Sequence, residues 1–286
     1  MLAYRHAFHA GNHADVLKHL VLVITLRHLL LKDKGLRVID THAGAGGYAL
    51  DSAQAARHHE YESGIGRLWQ ATDLPPALAD YVALVREFNS GGALAYYPGS
   101  PALAHRLLRP QDQLRLFEMH PSEHKLLAPA FGKQPGVEVT PGDGFVGLKA
   151  LLPPPTRRGL VLIDPPYEIK TDYTSTLAAL RETLQRFAEA TVLVWCPQLQ
   201  IVEATQLPQR LRASAQAAAP KGWLHARLTV GAPEHSGGRG FGLVGSHMLV
   251  TNPPHTLAPA LRQCLPLLAE RLGRDGSAGW SVETSA

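Results

Sequence analysis

Short, almost uninterrupted apolar runs recur at 36–40, 114–118, 137–140, 159–164 and 191–195. Stretches with helical spacing separate the last four of them, at 122–131, 144–151 and 173–188. A strand that is apolar along its whole length is buried on both faces. Strands of that kind alternating with helices imply a parallel α/β sheet with helices on both sides. A further helix is expected near 198–213. Two more strands, about 223–230 and 243–251, flank the loop 231–242, and a last helix covers about 256–271. A loop in place of a crossover helix makes that final strand pair antiparallel. Asn12 can cap an opening helix that runs to about Leu31 through Val16, Leu17, Leu20 and Ile24. Residues 51–97 read as helical, with turns at Pro75-Pro76 and Gly91-Gly92, inserted after the first strand. The organisation expected is one domain over 1–286 with a small helical insertion at 51–97.

Composition narrows the class. Hydrophobic residues make up 45% and charged residues 18%, a globular balance. The two cysteines, Cys196 and Cys264, exclude a disulfide scaffold and a cysteine-rich zinc module and fit a reducing cytoplasm. The most apolar stretch, 16–31, is interrupted by Lys18, His19, Arg27 and His28, so a core helix is expected rather than a membrane span, and no signal peptide. The formal charge is only +4, compatible with an anionic partner without requiring one, and fifteen histidines make it pH-sensitive.

Ligands of open α/β sheets sit beyond the carboxyl ends of the strands, and four clusters fall there. After the first strand, Asp40-Thr41-His42-Ala43-Gly44-Ala45-Gly46 offers small residues for close backbone approach. Glu118 closes the second strand, where a carboxylate can accept from both ribose hydroxyls or simply face solvent. A dinucleotide site places that acid about 20 residues past the glycines; here the insertion lies between them. Gly142-Asp143-Gly144-Phe145 follows the third strand, and Asp143 can bind an adenine amine or cap a helix. Asp164-Pro165-Pro166-Tyr167 follows the most apolar strand. Two prolines remove two donors, so this turn presents acceptors and a flat ring, which suits a planar exocyclic amine. Asn252-Pro253-Pro254-His255 repeats the pattern, but it lies beyond the fifth strand and is read as a strand-ending turn.

Glycine turn, ribose acid, adenine acid and Asp-Pro-Pro-Tyr in chain order resemble an S-adenosyl-L-methionine-dependent amino-methyltransferase. The match narrows with Tyr4-Arg5-His6, the run from Phe8 to His19, Tyr97-Pro98-Gly99-Ser100-Pro101 and Ile163-Asp164-Pro165-Pro166-Tyr167-Glu168. Together these closely resemble the bacterial 23S ribosomal RNA adenine-N6 methyltransferases, most strongly before about residue 175. The resemblance implies a Rossmann-like class I methyltransferase sheet and transfer to N6 of an adenine in 23S rRNA, adenine 2030. It implies cofactor contacts from His19, His42, Ser100, Glu118, Asp143, Gly144 and Asp164, with Asp164 also the catalytic acceptor in the turn Asp164, Pro165, Pro166 and Tyr167. It also implies an RNA contact from Tyr4 on the N-terminal arm.

In that chemistry Tyr167 would stack on an extruded base. The RNA would be protein-free or an early assembly intermediate, with no obligate protein partner. RNA attachment is expected from the basic residues Arg210, Arg212, Lys221, Arg227, Arg239 and Arg262, which face the single acid Glu234 between 205 and 262. The loop 236–242, with Arg239 and Phe241, belongs to that surface, and Arg5, Lys18 and the aromatics of the arm form a second one. No metal is expected, because His58-His59-Glu60 has poor ligand spacing. A guanine-N2 or DNA-adenine methyltransferase, a glutamine-amide methyltransferase and a non-catalytic RNA-binding module remain open alternatives.

Overall fold

A computed structural model describes residues 6–52, 55, 59–232 and 242–285. Tyr4, Arg5, His58, Arg239, Phe241 and most of the 236–242 loop lie outside them.

The parallel part of the sheet is built from β1 (Arg37–Asp40), β4 (Gln113–Glu118), β5 (Val137–Pro141), β6 (Gly159–Ile163) and β7 (Thr191–Pro197), in the spatial order β7-β6-β1-β4-β5. β2 (Gly47–Ala49) and β3 (Tyr96–Pro98) form a separate antiparallel pair in which Tyr48 faces Tyr97. β8 (Trp223–Thr229) and β9 (Gly245–Thr251) are antiparallel to each other, as expected. β9 also enters the sheet between β8 and β7, antiparallel to both. An edge strand, β10 (Gly279–Thr284), pairs with β8. The sequence reading stops at the last helix and contains no β10, whose Gly-Trp-Ser-Val-Glu-Thr alternation is short and half exposed.

Both sheet faces are covered. α1 (His13–Leu29), α5 (Ser100–Leu107) and α10 (Leu257–Leu272) lie over one. α7 (Gly144–Leu151), α8 (Lys170–Arg186) and α9 (Val202–Ala218) lie over the other. The strands alternate between them with period two. Val38, Leu114, Leu116, Leu160 and Leu162 face the α1 side, while Ile39, Phe117, Val161 and Ile163 face the α8 side. α6 (Pro121–Phe131) joins β4 to β5. α1 is buried from His13 to Leu26 on every face, the pattern of a central helix. It ends at Leu29, so Leu31, expected inside it, is 78% exposed.

The stretch 51–97 is only partly helical. It holds α2 (Glu60–Ser63), α3 (Gly66–Trp69) and α4 (Pro76–Arg86), but its last residues, Tyr96 and Tyr97, belong to β3. Two adjacent tyrosines suit a strand better than a helix. Ile65, Leu68, Leu78, Tyr81 and Val85 join the same apolar cluster as α1. Among the described residues no helix is long and apolar enough to cross a membrane.

The packing of α7 onto the sheet depends on one glycine. A Cβ on Gly144 would stand 2.1 Å from the Thr41 carbonyl oxygen and 2.6 Å from its Cα. Both are backbone atoms and cannot move aside. Gly144→Ala is therefore expected to destabilise the chain by at least ~1–3 kcal/mol, read as a lower denaturant midpoint; an unchanged midpoint would contradict this close approach.

Candidate functional site

The carboxyl ends of β1, β4, β6 and β7 open into one cavity of about 640 Å³, within the usual range of small-molecule sites. At one end are Gly44, Glu118, Met119, His120 and Glu123; at the other are Trp195, Pro197, Leu199, Leu243 and Arg274. Asp164 lies between them in the sheet order, with Pro165 and Pro166.

Of the residues expected here, His19, His42, Ser100, Glu118, Asp164, Pro165 and Pro166 line the cavity. Glu118 accepts from Gly44 N at 2.7 Å through Oε2 and from His120 N at 2.6 Å through Oε1. These bonds aim the carboxylate, and burial raises its pKa against their pull. Ser100 does not cap its own helix, as its position beside Pro101 suggests; Gly99 occupies the cap position. The Ser100 hydroxyl instead donates to Asp40 Oδ2 at 2.7 Å. His42 N donates to Asp40 Oδ1 at 3.2 Å. Burial pushes Asp40 up to about 6, opposed by those two bonds. His19 Nδ1 pairs with Tyr97 Oη at 2.7 Å, while its Nε2 is buried without a partner.

Three expected residues do not line the cavity. Asp143 accepts from Phe145 N at 2.8 Å and caps α7. Gly144 is the close-packing residue described above. Tyr167 adopts φ +54° and is only 7% exposed. Its hydroxyl donates to the Trp195 carbonyl at 2.7 Å, and its ring lies 4.7 Å from that of Tyr173. The Tyr167 ring is thus committed to the interior and offers no face to a base; Trp195 lines the cavity instead.

The second Asn-Pro-Pro turn is structural, as expected. Asn252 donates to the Ala188 and Ala190 carbonyls, each at 2.8 Å, and accepts from Lys221 N at 3.0 Å. β9 runs antiparallel to β6 and β7, so its end lies at the sheet edge opposite Asp164.

Lys18 corrects a surface expectation. It is 5% exposed, and its Nζ bonds Asp164 Oδ2 and, at 2.9 Å, Asp15 Oδ1. Asp15 Oδ2 also accepts from Gly11 N at 2.9 Å and pairs with His6 Nε2 at 2.8 Å. Burial alone would raise the pKa of Asp15, but His6 and Lys18 hold it well below the usual carboxylate range. Burial lowers that of Lys18, and the two carboxylates more than reverse the effect, so the ammonium stays charged. Asp15 and Lys18 lie three positions apart inside the buried part of α1. Two charges with that spacing in a fully buried element were the signal for this centre. The expected basic surface is also partly neutralised: Arg212 pairs with Glu283 at 2.6 Å.

The family model and the curated relatives point to one family. Residues 33–285 match the family model described as Ribosomal RNA large subunit methyltransferase D, RlmJ. The chain belongs to this family. It is 44% identical over 284 residues to the Ribosomal RNA large subunit methyltransferase J of Haemophilus influenzae, covering 99% of this chain and 98% of that one. It is 46% identical over 272 residues to the protein of the same name from Escherichia coli, covering 95% and 94%. A crystal structure of a Legionella pneumophila protein superimposes with a TM-score of 0.86 at 32% identity, covering 97% of this chain and 99% of the other.

Two predictions follow from the buried charges. Asp15→Ala leaves the buried Lys18 with one partner, and a loss of about 3–5 kcal/mol is expected; a stability within error of wild type in urea unfolding would refute the role given to Asp15. The second concerns acid. Burial lowers His13 to about 4, with Arg274 adding to the shift, and burial lowers His19 to about 3. Both are neutral when folded but take protons near the ordinary 6.5 when unfolded. The unfolded chain thus binds more protons below that value. Stability is expected to fall from about pH 6.5 towards pH 4 by up to ~1.4 kcal/mol per pH unit for each histidine. Denaturation at a series of pH values checks this, and His19→Gln should flatten the profile.

Proposed function

We propose that this chain is a cytoplasmic methyltransferase that uses S-adenosyl-L-methionine to methylate N6 of an adenine in 23S rRNA, at adenine 2030. We propose as substrate the protein-free RNA or an early assembly intermediate, acted on by a single domain spanning 1–286 with 51–97 as its insertion. The observation that carries this reading is Asp164, held by a charged Lys18 in the cavity wall between Glu118 and Trp195.

The donor set fits the cofactor. Glu118, with both oxygens aimed by backbone N–H groups, has lone pairs left for a ribose diol. Glu118, Glu123 and Asp164 make the wall electronegative, which suits a sulfonium. His19, His42 and Ser100 complete the binding surface, Asp143 contributes its Oδ2, and Gly144 keeps the turn close to β1. When bound, S-adenosyl-L-methionine supplies an electrophilic methyl group.

The remaining chemistry belongs to the chain. An adenine amine delocalises its lone pair into the ring and is a poor nucleophile. Asp164 Oδ1 and the Pro165 carbonyl accept its two N–H bonds and favour a localised lone pair. The carboxylate also stabilises the positive charge that develops on nitrogen. The proton that nitrogen sheds is received at Asp164, which need only accept it and not be a strong base. Lys18 fixes the other Asp164 oxygen, so the acceptor is oriented before the base arrives. The indole of Trp195 serves as the flat wall for the extruded base, in place of Tyr167, and Tyr4 meets the RNA from the arm.

The test uses 23S rRNA, a labelled methyl donor and mapping of the modified nucleoside. Label in N6-methyladenosine is expected, with Asp164→Ala slower by about 10²-fold or more when assayed well below its own melting temperature, which the loss of one Lys18 partner lowers. Label in guanine, or full activity in Asp164→Ala, would overturn the reading.

A further inference from the structure

Arg274, just beyond α10, has no role in the cofactor chemistry, yet its side chain lines the cavity. Three separate segments hold it there. Its backbone N donates to the Val230 carbonyl at 2.6 Å, next to the end of β8. Its Nη2 donates to the Leu243 carbonyl at 3.1 Å, two residues before β9, and to His13 Nε2 at 3.2 Å, at the start of α1. The residue is nonetheless exposed.

Asp275, next in the chain, feels the charge of Arg274 at a distance but is bonded to Ala232 N and Ser277. Among the described residues no carboxylate lies within ion-pair distance of the guanidinium, whereas Arg212 and Arg271, elsewhere in the C-terminal third, both have one. A guanidinium has five N–H donors in a planar fork, and among the described residues its bonds are made through Nη2. Position adds direction. Across the sheet, Glu118 on β4 and Asp164 after β6 lie in order, and Leu243 before β9 lies further on the same line. Arg274 is therefore on the side of Asp164 away from the ribose acid, where the target base enters. A base extruded into that half leaves its phosphodiester at the rim, and a free planar fork matches a phosphate.

We propose that Arg274 is a positioning residue that clamps a backbone phosphate flanking the extruded nucleotide of a single-stranded RNA segment. This rests on the RNA methyltransferase reading above. The contact carries no sequence information; it sets how the nucleotide is presented.

Steady-state methylation by the full chain, over a range of salt concentrations, tests it. Arg274→Gln keeps donors for Leu243 and His13 but removes the charge, and Arg274→Ala removes both. Both variants are expected to raise KM for RNA about tenfold, with kcat within about twofold of wild type. The salt slope of log(kcat/KM) should shrink by about 0.7, the release of one counterion from a single strand. In Arg274→Gln, cofactor affinity by calorimetry and the melting temperature should stay at wild-type values, and Arg274→Lys should recover part of the salt slope. An unchanged KM and slope in Arg274→Gln would overturn the proposal. A lower melting temperature or weaker cofactor binding with an unchanged slope would also overturn it, by making Arg274 a structural strap. Wild type that methylates no RNA would instead overturn the reading on which the proposal rests.

Discussion

A single buried ammonium ties the catalytic turn to the rest of the molecule. Lys18 lies between Asp15, on its own helix, and Asp164, beyond β6. A lone charge at that depth would be prohibitively expensive. Two carboxylates make it tolerable, and Asp15 is in turn satisfied by Gly11 N and His6. The 3-10 turn at His6–Phe8, the N-terminus of α1 and the end of β6 are thus held by one polar network along the cavity wall. Removing a partner strands a charge, so the network behaves as a unit. The residue that receives the substrate amine in the proposed reaction is a member of that unit.

The turn is also fixed from the other side. Pro165 and Pro166 restrict φ, and Tyr167, in the left-handed region, directs its ring away from the cavity. The ring is closed in by Tyr173 and Trp195, and its hydroxyl is bonded to the Trp195 carbonyl. Burial drives the Tyr167 pKa well above its ordinary value, so this hydroxyl remains a donor. The aromatic at the fourth motif position acts here as an anchor that holds Asp164 and Pro165 in one geometry. Acceptors fixed in advance need no reorganisation when charge develops.

Much of this was legible because it depends on local patterning. Continuous apolar strands, the Asn12 cap and the acids at strand ends are set by neighbours in the chain, and Asn12 does accept from Ala14 N and Asp15 N. What escaped depends on tertiary partners. Nothing near Lys18 in the chain announces Asp164, and nothing near Tyr167 announces the Trp195 carbonyl. β10 is an edge strand whose alternation is too weak to stand out until β8 is beside it. Ser100 reads as a cap because Pro101 follows, and only the fold brings Asp40 to its hydroxyl. The histidine surplus resolves in part in the same way. His13, His19 and His225 are interior residues held neutral by burial.

The insertion of β9 between β7 and β8 has a consequence for charge. Had the last strands been added in chain order, the segment before β9 would not border β7. Because β9 runs antiparallel beside β7, its amino end meets the carboxyl ends of the parallel strands. Gly242 and Leu243 therefore reach the cavity, and Arg274 with them. Carboxylates line the cavity at Asp15, Glu60, Glu118, Glu123, Asp164 and Glu168, and Arg274 adds a cation at the end nearest β9. A sulfonium and a phosphodiester carry opposite charges, so the cation favours the phosphodiester at its own end and disfavours exchange of the two ligands.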